Sequence, residues 1–486
     1  MSHVALYHNP SLQSYPADPP FSPSEAHPEY PFTHRSKTPN LVYEGVRSLL
    51  RDLHLDDEHF GRPSWNPLGG MIRPGQTVLL KPNFVMDVHR LGYDVFSIFT
   101  HASVLRAMMD YATIALRGEG RIVIGDAPLQ SCNLPNLLRI NRIQELVDFY
   151  QTHRQVVVRV EDFRREVTVR DSDNLVLERS FRGEQGYRIV DLGEDSMLST
   201  ISAGHRNYRV TNYDVSVMAR HHDQRANQYF IAQTVLDADA VINIPKLKTH
   251  RKAGITGALK NVVGINCHKD CLPHHRFGSQ EEGFDEYLHR SLLKKATTLL
   301  VEKQDISTDR FTQKAIGYPI KLLSLVSSLV ERDPFREGSW YGNDTLWRTI
   351  LDLNRIFLYA DKEGRLSSTQ ARKVLHIVDA VIAGDREGPI EPTPKACGVL
   401  IGGAHAPAVD AAGATLMGFD FRKIPTVAHS FAGHRYPLVT PPPDEVLVSR
   451  SGRTSTLDQL REDVNLRFHP PSGWQGTVEV NGHRAQ

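Results

Sequence analysis

Residues 245–275, "PKLKTHRKAGITGALKNVVGINCHKDCLPHH", concentrate side chains that can hold negative charge or move protons. Lys246 and Lys248 fall on one side of an extended chain and would present two ammonium groups to an anion. Crowded ammonium groups depress one another's pKa, which a proton-transfer catalyst needs. His250 follows, and then Gly254 and Gly257, whose bare backbone N–H groups could approach a phosphate or carboxylate at a helix start. Thr256, Lys260 and Asn261 belong to the same "TGALKN" segment, and Lys260 would lie one turn beyond Gly257 as a point charge or proton carrier. The lysine does not directly follow the glycine, so this is not a Walker loop. The plain alternatives are a solvated basic face and a helix packed closely on a sheet.

The stretch closes on thiolate and imidazole donors, Cys267, Cys271, His274 and His275, which suit zinc, nickel or iron. C-x-x-x-C followed by paired histidines is not a zinc-knuckle spacing, and no ferredoxin-like cysteine run exists. A polar loop with incidental cysteines is the competing reading.

Other polar residues fall at the ends of apolar runs, where parallel α/β sheets bind ligands. Lys81 and Asn83 follow "TVLL", Asp126 follows "IVIG", and Gly402-Gly403 leads to Asp410. Asp379 and Glu387 flank glycines in "VDAVIAGDREGP", a setting that suits a hydroxylated ligand, Mg²⁺ or a general base. Asp410 could cap a helix or face the site.

The elements that must position these residues alternate. Strands are expected at Thr77 to Leu80, Ile122 to Ile124, "QVVVRVEDF" and 239–244, with helices at "HASVLRAMMDYATIALRG" and "NRIQELVDFYQTHR" between the earlier ones. This rhythm predicts an α/β class, with parallel or mixed sheets flanked by helices. "REVTVRDSDNLVLERSF" alternates about the turn "DSDN", so a β-hairpin insertion is expected near 165–190, as a lid or packing edge. "NDTLWRTILDLNRIFLYAD" is an amphipathic helix, and "YPIKLLSLVSSLV" reads as a buried or interface helix, too short for the ~20 residues of a membrane span.

A chain of 486 residues suggests two domains. The expected division is an extended N-terminal arm over 1–40, a first α/β part over 41–235, a second over 236–435 with a helical insertion near 280–360, and a tail over 436–486. Hydrophobic residues at 40% and charged residues at 23% describe a soluble globular protein. A net charge of +1 gives no global field for nucleic acid or an acidic membrane, so anion preference must come from local clusters. Four cysteines and no signal-like start favour the cytoplasm.

Lys81-Pro82-Asn83, Gly125-Asp126, "PKLKTH", "TGALKN", "VDAVIAGDREGP" and "GAHAPAVDAAGATLMGF" resemble, in order over roughly residues 75–425, the family called domain of unknown function 362. Many members carry a ferredoxin-type domain. Its cysteines are missing here, so no iron–sulfur cluster is expected. His250, Gly254, Gly257 and Lys260 also resemble the nickel-pincer lactate racemase group, in which a lysine holds the pincer cofactor. That resemblance implies a nickel ligand at His274 or His275 and two α/β domains with a cleft between them. The combined expectation is an enzyme binding an anionic small molecule or a phosphate-bearing cofactor, with isomerase/racemase-like or redox-type chemistry by Lys260 and His250. A transition-metal enzyme or carrier, and a non-catalytic binding or scaffold protein, are the other expectations, and under any of them the chain could oligomerise.

Overall fold

Alternate residues of the central strands enter different cores. Val78, Leu80, Ile122, Ile124, Ala240, Ile242 and Ile244 pack into one apolar cluster, while Leu79, Val123 and Val241 pack into another. A period of two places successive side chains on opposite faces, and both faces are covered, which is why these strands read as unbroken apolar runs.

The computed structural model describes residues 2–153, 156–171, 175–182, 186–211, 213–307, 309–331, 333–439 and 445–480. In chain order the strands are β1 (Ser2–His8), β2 (Thr77–Pro82), β3 (Arg121–Asp126), β4 (Val157–Asp162), β5 (Glu166–Arg170), β6 (Val176–Phe181), β7 (Tyr187–Asp191), β8 (Tyr208–Arg209) and β9 (Gln228–Ala232). They continue with β10 (Ala240–Ile244), β11 (Lys246–His250), β12 (Gly254–Thr256), β13 (His275–Arg276), β14 (Lys373–Glu387), β15 (Glu391–Gly403), β16 (Val446–Arg450) and β17 (Arg453–Thr456). An 11-stranded mixed sheet has the order β17-β16-β1-β15-β14-β10-β2-β3-β4, and β11 continues beside β14 with β12 as its antiparallel partner. β14, β10, β2, β3 and β4 are mutually parallel along this order.

Helices Leu41–Asp52, Ala102–Leu116 and Ile143–His153 cover one face; Leu346–Tyr359 and Ala406–Met417 cover the other. The α/β class with flanking helices is therefore correct. β5 and β6 form the expected antiparallel hairpin. Residues 172–174 of its "DSDN" turn lie outside the described residues, as do 440–444 and 481–486 of the expected tail.

Three expectations change. Ser2–His8 is not part of an arm but a strand between β15 and β16, with Val4, Ala5 and Leu6 buried. β15 runs antiparallel to β14, so its end at Gly402-Gly403 points the opposite way from the ends of β2, β3 and β10. "YPIKLLSLVSSLV" does lie in a helix, Arg310–Val330, but Leu322, Leu325 and Leu329 are exposed and Leu323 is half-buried, so of the expected buried or interface helix the buried alternative falls away.

Candidate functional site

The carboxyl ends of β2 and β3, with β11 and β12, open onto a pocket of about 280 Å³. Its wall includes Asn83, Asp126, Lys248, His250, Thr256, Lys260 and Asn261, which the sequence had singled out on four separate segments. Parallel pairing of β2, β3 and β10 brings these segments to one edge, because strands running in one direction deliver all their following loops to the same side.

The floor is a buried ion pair. Lys81 Nζ lies 2.7 Å from Asp126 Oδ1 and donates to the carbonyl of Pro82 at 2.9 Å. Asp126 also accepts the backbone N–H groups of Phe84 at 2.7 Å and Ala127 at 2.9 Å. Burial pushes both groups toward their neutral forms and their mutual attraction opposes it. Asn261 spans the same floor, donating to Asn243 Oδ1 at 2.7 Å and to the carbonyl of Lys81 at 3.2 Å. Gly264 allows this approach: a Cβ there would sit 1.9 Å from Asp126 Oδ1 and 2.7 Å from Lys81 Nζ.

Above the floor, positive side chains crowd together. Burial, with Lys269 and Lys81 acting in the same direction, lowers the Lys260 pKa to about 7. Burial likewise brings Lys269 down to about 8, with Asp126 pulling the other way. Lys248 donates to the carbonyl of Ile98 and is held well below its usual value by burial and by Lys246 and Lys260. Lys252 donates to Thr211 Oγ1 at 3.0 Å and lies 3.7 Å from Glu337.

His250 has a defined tautomer. Its Nδ1 accepts the backbone N–H groups of Lys252 and Ala253, both at 3.1 Å. Burial and the neighbouring Lys260 and Lys248 hold the ring neutral, so its proton is on Nε2. Burial lowers His274 to about 3, and its Nδ1 lies 2.7 Å from the carbonyl of Leu272, which assigns Nδ1 as its donor. Asn83 Oδ1 and Thr256 Oγ1 line the pocket, buried and without a hydrogen-bond partner among the described residues. Together the wall offers ammonium groups, a neutral imidazole and unmet amide and hydroxyl oxygens.

Several candidate residues lie elsewhere. Lys246 does not pair with Lys248 toward an anion: its ammonium lies 2.6 Å from Asp379 Oδ2 and donates to Tyr15 Oη at 2.5 Å, fully buried. The register shift between Lys246 and Lys248 along β14 separates their surroundings. Asp379 is committed to that cluster, accepting from Tyr15 at 2.7 Å and from the His101 backbone N–H at 3.0 Å. Glu387 holds Arg251 at 2.8 Å instead of a ligand.

The glycine segment is also closed as an anion cradle. Asp410 accepts from the backbone N–H groups of Ala258 at 2.5 Å and Leu259 at 3.0 Å, so an internal carboxylate already occupies that helix start. Gly257 makes room for it, since a Cβ would lie 2.2 Å from Asp410 Oδ1. Gly254 serves the β11–β12 turn with a φ of +78°, where a side chain is disfavoured.

Cys267, Cys271 and His275 are buried away from the pocket wall. Burial raises both thiols, Cys267 to about 12. Among the described residues no group of three His, Cys, Asp or Glu side chains could hold a metal ion. Cys267, Cys271, His274 and His275 do not gather into such a group.

The sequence reading missed Lys269, set in "CHKDC" and overshadowed by its cysteines, and Thr168 and Arg170 of β5. The hairpin is thus pocket wall. Its alternation was the available signal, since Glu166, Thr168 and Arg170 share one polar face of the strand.

A profile of the family described as domain of unknown function (DUF362) matches residues 151–415, more than half of the chain. The chain belongs to the DUF362 family. The matched DUF362 region carries Lys248, His250, Thr256, Lys260, Lys269 and Arg170 but begins after Asn83 and Asp126, so the pocket extends beyond it. Among curated proteins, nothing matches this DUF362 chain. A solved structure of a Thermotoga maritima protein aligns with 75% of it at 10% identity and a TM-score of 0.26. The chain covers 54% of that protein, about half its length.

Proposed function

We propose that this protein is an enzyme that binds a small anionic substrate in the pocket and moves a proton with Lys260. The observation that carries the reading is Lys260 itself. It is a lysine on a pocket wall whose pKa, lowered to about 7 by burial and neighbouring cations, lets it exist as either amine or ammonium near neutrality. A general base works best with a pKa near the working pH and contributes about 10²–10⁴-fold.

In this scheme the Lys269 ammonium attracts the substrate's carboxylate or phosphate. The Lys260 amine removes a proton from a carbon next to a carboxyl or carbonyl group, leaving a carbanion whose charge spreads onto the adjacent oxygen. The Nε2–H of His250 donates to that oxygen. Lys260 returns the proton either to the opposite face of the same carbon once the planar anion has turned over, an epimerisation, or to the neighbouring carbon of an enediolate while His250 moves the hydroxyl proton between the two oxygens, an isomerisation. Asn83 and Thr256 orient the polar substituents.

Deuterium wash-in tests the reading. The chain is incubated in D2O with a panel of 2-hydroxy and 2-keto acids and with small molecules extracted from cells, and products are read by mass spectrometry. Incorporation that Lys260→Ala abolishes is expected. No incorporation, with no shift in melting temperature by any of these compounds, would refute the proposal.

A further inference from the structure

Helix Arg310–Val330 is amphipathic but faces the unexpected way. It turns Gln313 and Ser327 inward and leaves Phe311, Tyr318, Leu322, Leu325 and Leu329 exposed, the last at 77%. These five recur along one outward stripe at helical spacing. The inward face is satisfied by polar contacts: Gln313 donates to the carbonyls of Val176 at 3.0 Å and Ser307 at 2.9 Å, and Ser327 donates to Glu331 at 2.8 Å. The helix Leu292–Ile306 packs beside it and adds Leu292, Leu299 and Ile306 at intervals of one heptad, all exposed. A monomer rarely leaves so continuous an apolar face in water.

Most of the exposed charges beside this face are positive. Lys303, Lys314 and Lys321 are exposed, each within one turn of an exposed apolar residue of its own helix. The exposed carboxylate on this pair of helices, Asp309, is used as an N-cap for Thr312 at 2.7 Å. Glu302 is engaged by Arg209. Lysines bordering an apolar stripe can lay their stems along hydrocarbon while their ammonium groups reach anionic headgroups. Packing a second copy against the face would bring the same lysines to the seam without acidic partners there. No helix among the described residues is long and apolar enough to cross a membrane, so any lipid contact by this helix lies along its length.

We infer that this helix pair docks on an anionic lipid surface, apolar face inward and Lys303, Lys314 and Lys321 at the headgroups. The inference stands on this face alone and is independent of the pocket chemistry.

The test is co-sedimentation of the full chain with vesicles of phosphatidylcholine, with and without phosphatidylserine. Binding only to the phosphatidylserine vesicles is expected. Lys314→Gln with Lys321→Gln should weaken it by roughly tenfold or more, and Leu322→Ser with Leu325→Ser should abolish it. All four side chains are exposed, so both double variants should melt as the wild type does. No enrichment on phosphatidylserine vesicles overturns the inference. So does analytical ultracentrifugation showing a dimer that the leucine variant dissolves while vesicle binding is absent, a result that gives the face to a second copy.

Discussion

An ammonium group buried beside others holds its proton loosely, and Lys260 occupies such a place. Its pKa falls from 10.5 unfolded to about 7 folded. Between those values the unfolded chain binds the extra proton, so stability rises with pH across that window and the penalty is complete below about pH 7. Lys260→Met removes the penalty. It should melt higher than the wild type below about pH 7, with the difference shrinking as pH approaches 10.5, as scanning calorimetry would show. Anion binding should couple to proton uptake for the same reason, because a negative guest restores the lysine protons. Calorimetric titration of phosphate or oxalate in buffers of different ionisation enthalpy should show uptake near pH 7–8, the range set by Lys260 and Lys269, and Lys260→Met should reduce it. The residue types were legible in sequence, and so were His250 and Lys260 as neighbours. The commitments of Lys246, Asp379 and Glu387 were not, because their partners lie far away in the chain.

At the scale of elements, two glycines report close approaches that a substitution would break. Gly264→Ala pushes a methyl group into the Lys81–Asp126 pair, and Gly257→Ala pushes one into the Asp410 carboxylate. Each should lower stability by roughly 1–3 kcal/mol in urea titrations. Gly264→Ala should also weaken anion binding, since it disturbs the pocket floor. Asp410→Ala should lose on the order of 1 kcal/mol or more, the usual effect of removing a cap. Strands and long helices were legible from periodicity. The single cap that closes the 254–257 cradle was not, because Asp410 reaches it from a different helix.

Across the whole molecule, the N-terminal strand ties the sheet together. β1 pairs antiparallel with β15 and parallel with β16, so it joins the first residues to the last strands. Deleting residues 2–8 would leave two sheet edges unpaired and expose the surfaces that Val4, Ala5 and Leu6 cover. The truncated chain should lose its cooperative melting transition and aggregate, which light scattering during a thermal ramp would detect. Seven residues followed by Asn9-Pro10 gave no strand signal strong enough to be placed, since the partners of β1 lie at 399–403 and 446–449.

The sequence by itself determined the α/β class, the basic histidine-to-lysine segment and the family to which it belongs, since these depend on residue type and short-range spacing. Only the tertiary structure decided which cations face the pocket, that Asp410 fills the glycine cradle, and that a leucine-rich helix turns its apolar side outward. Those outcomes depend on which distant groups neutralise or cover each other, and local spacing carries no record of them.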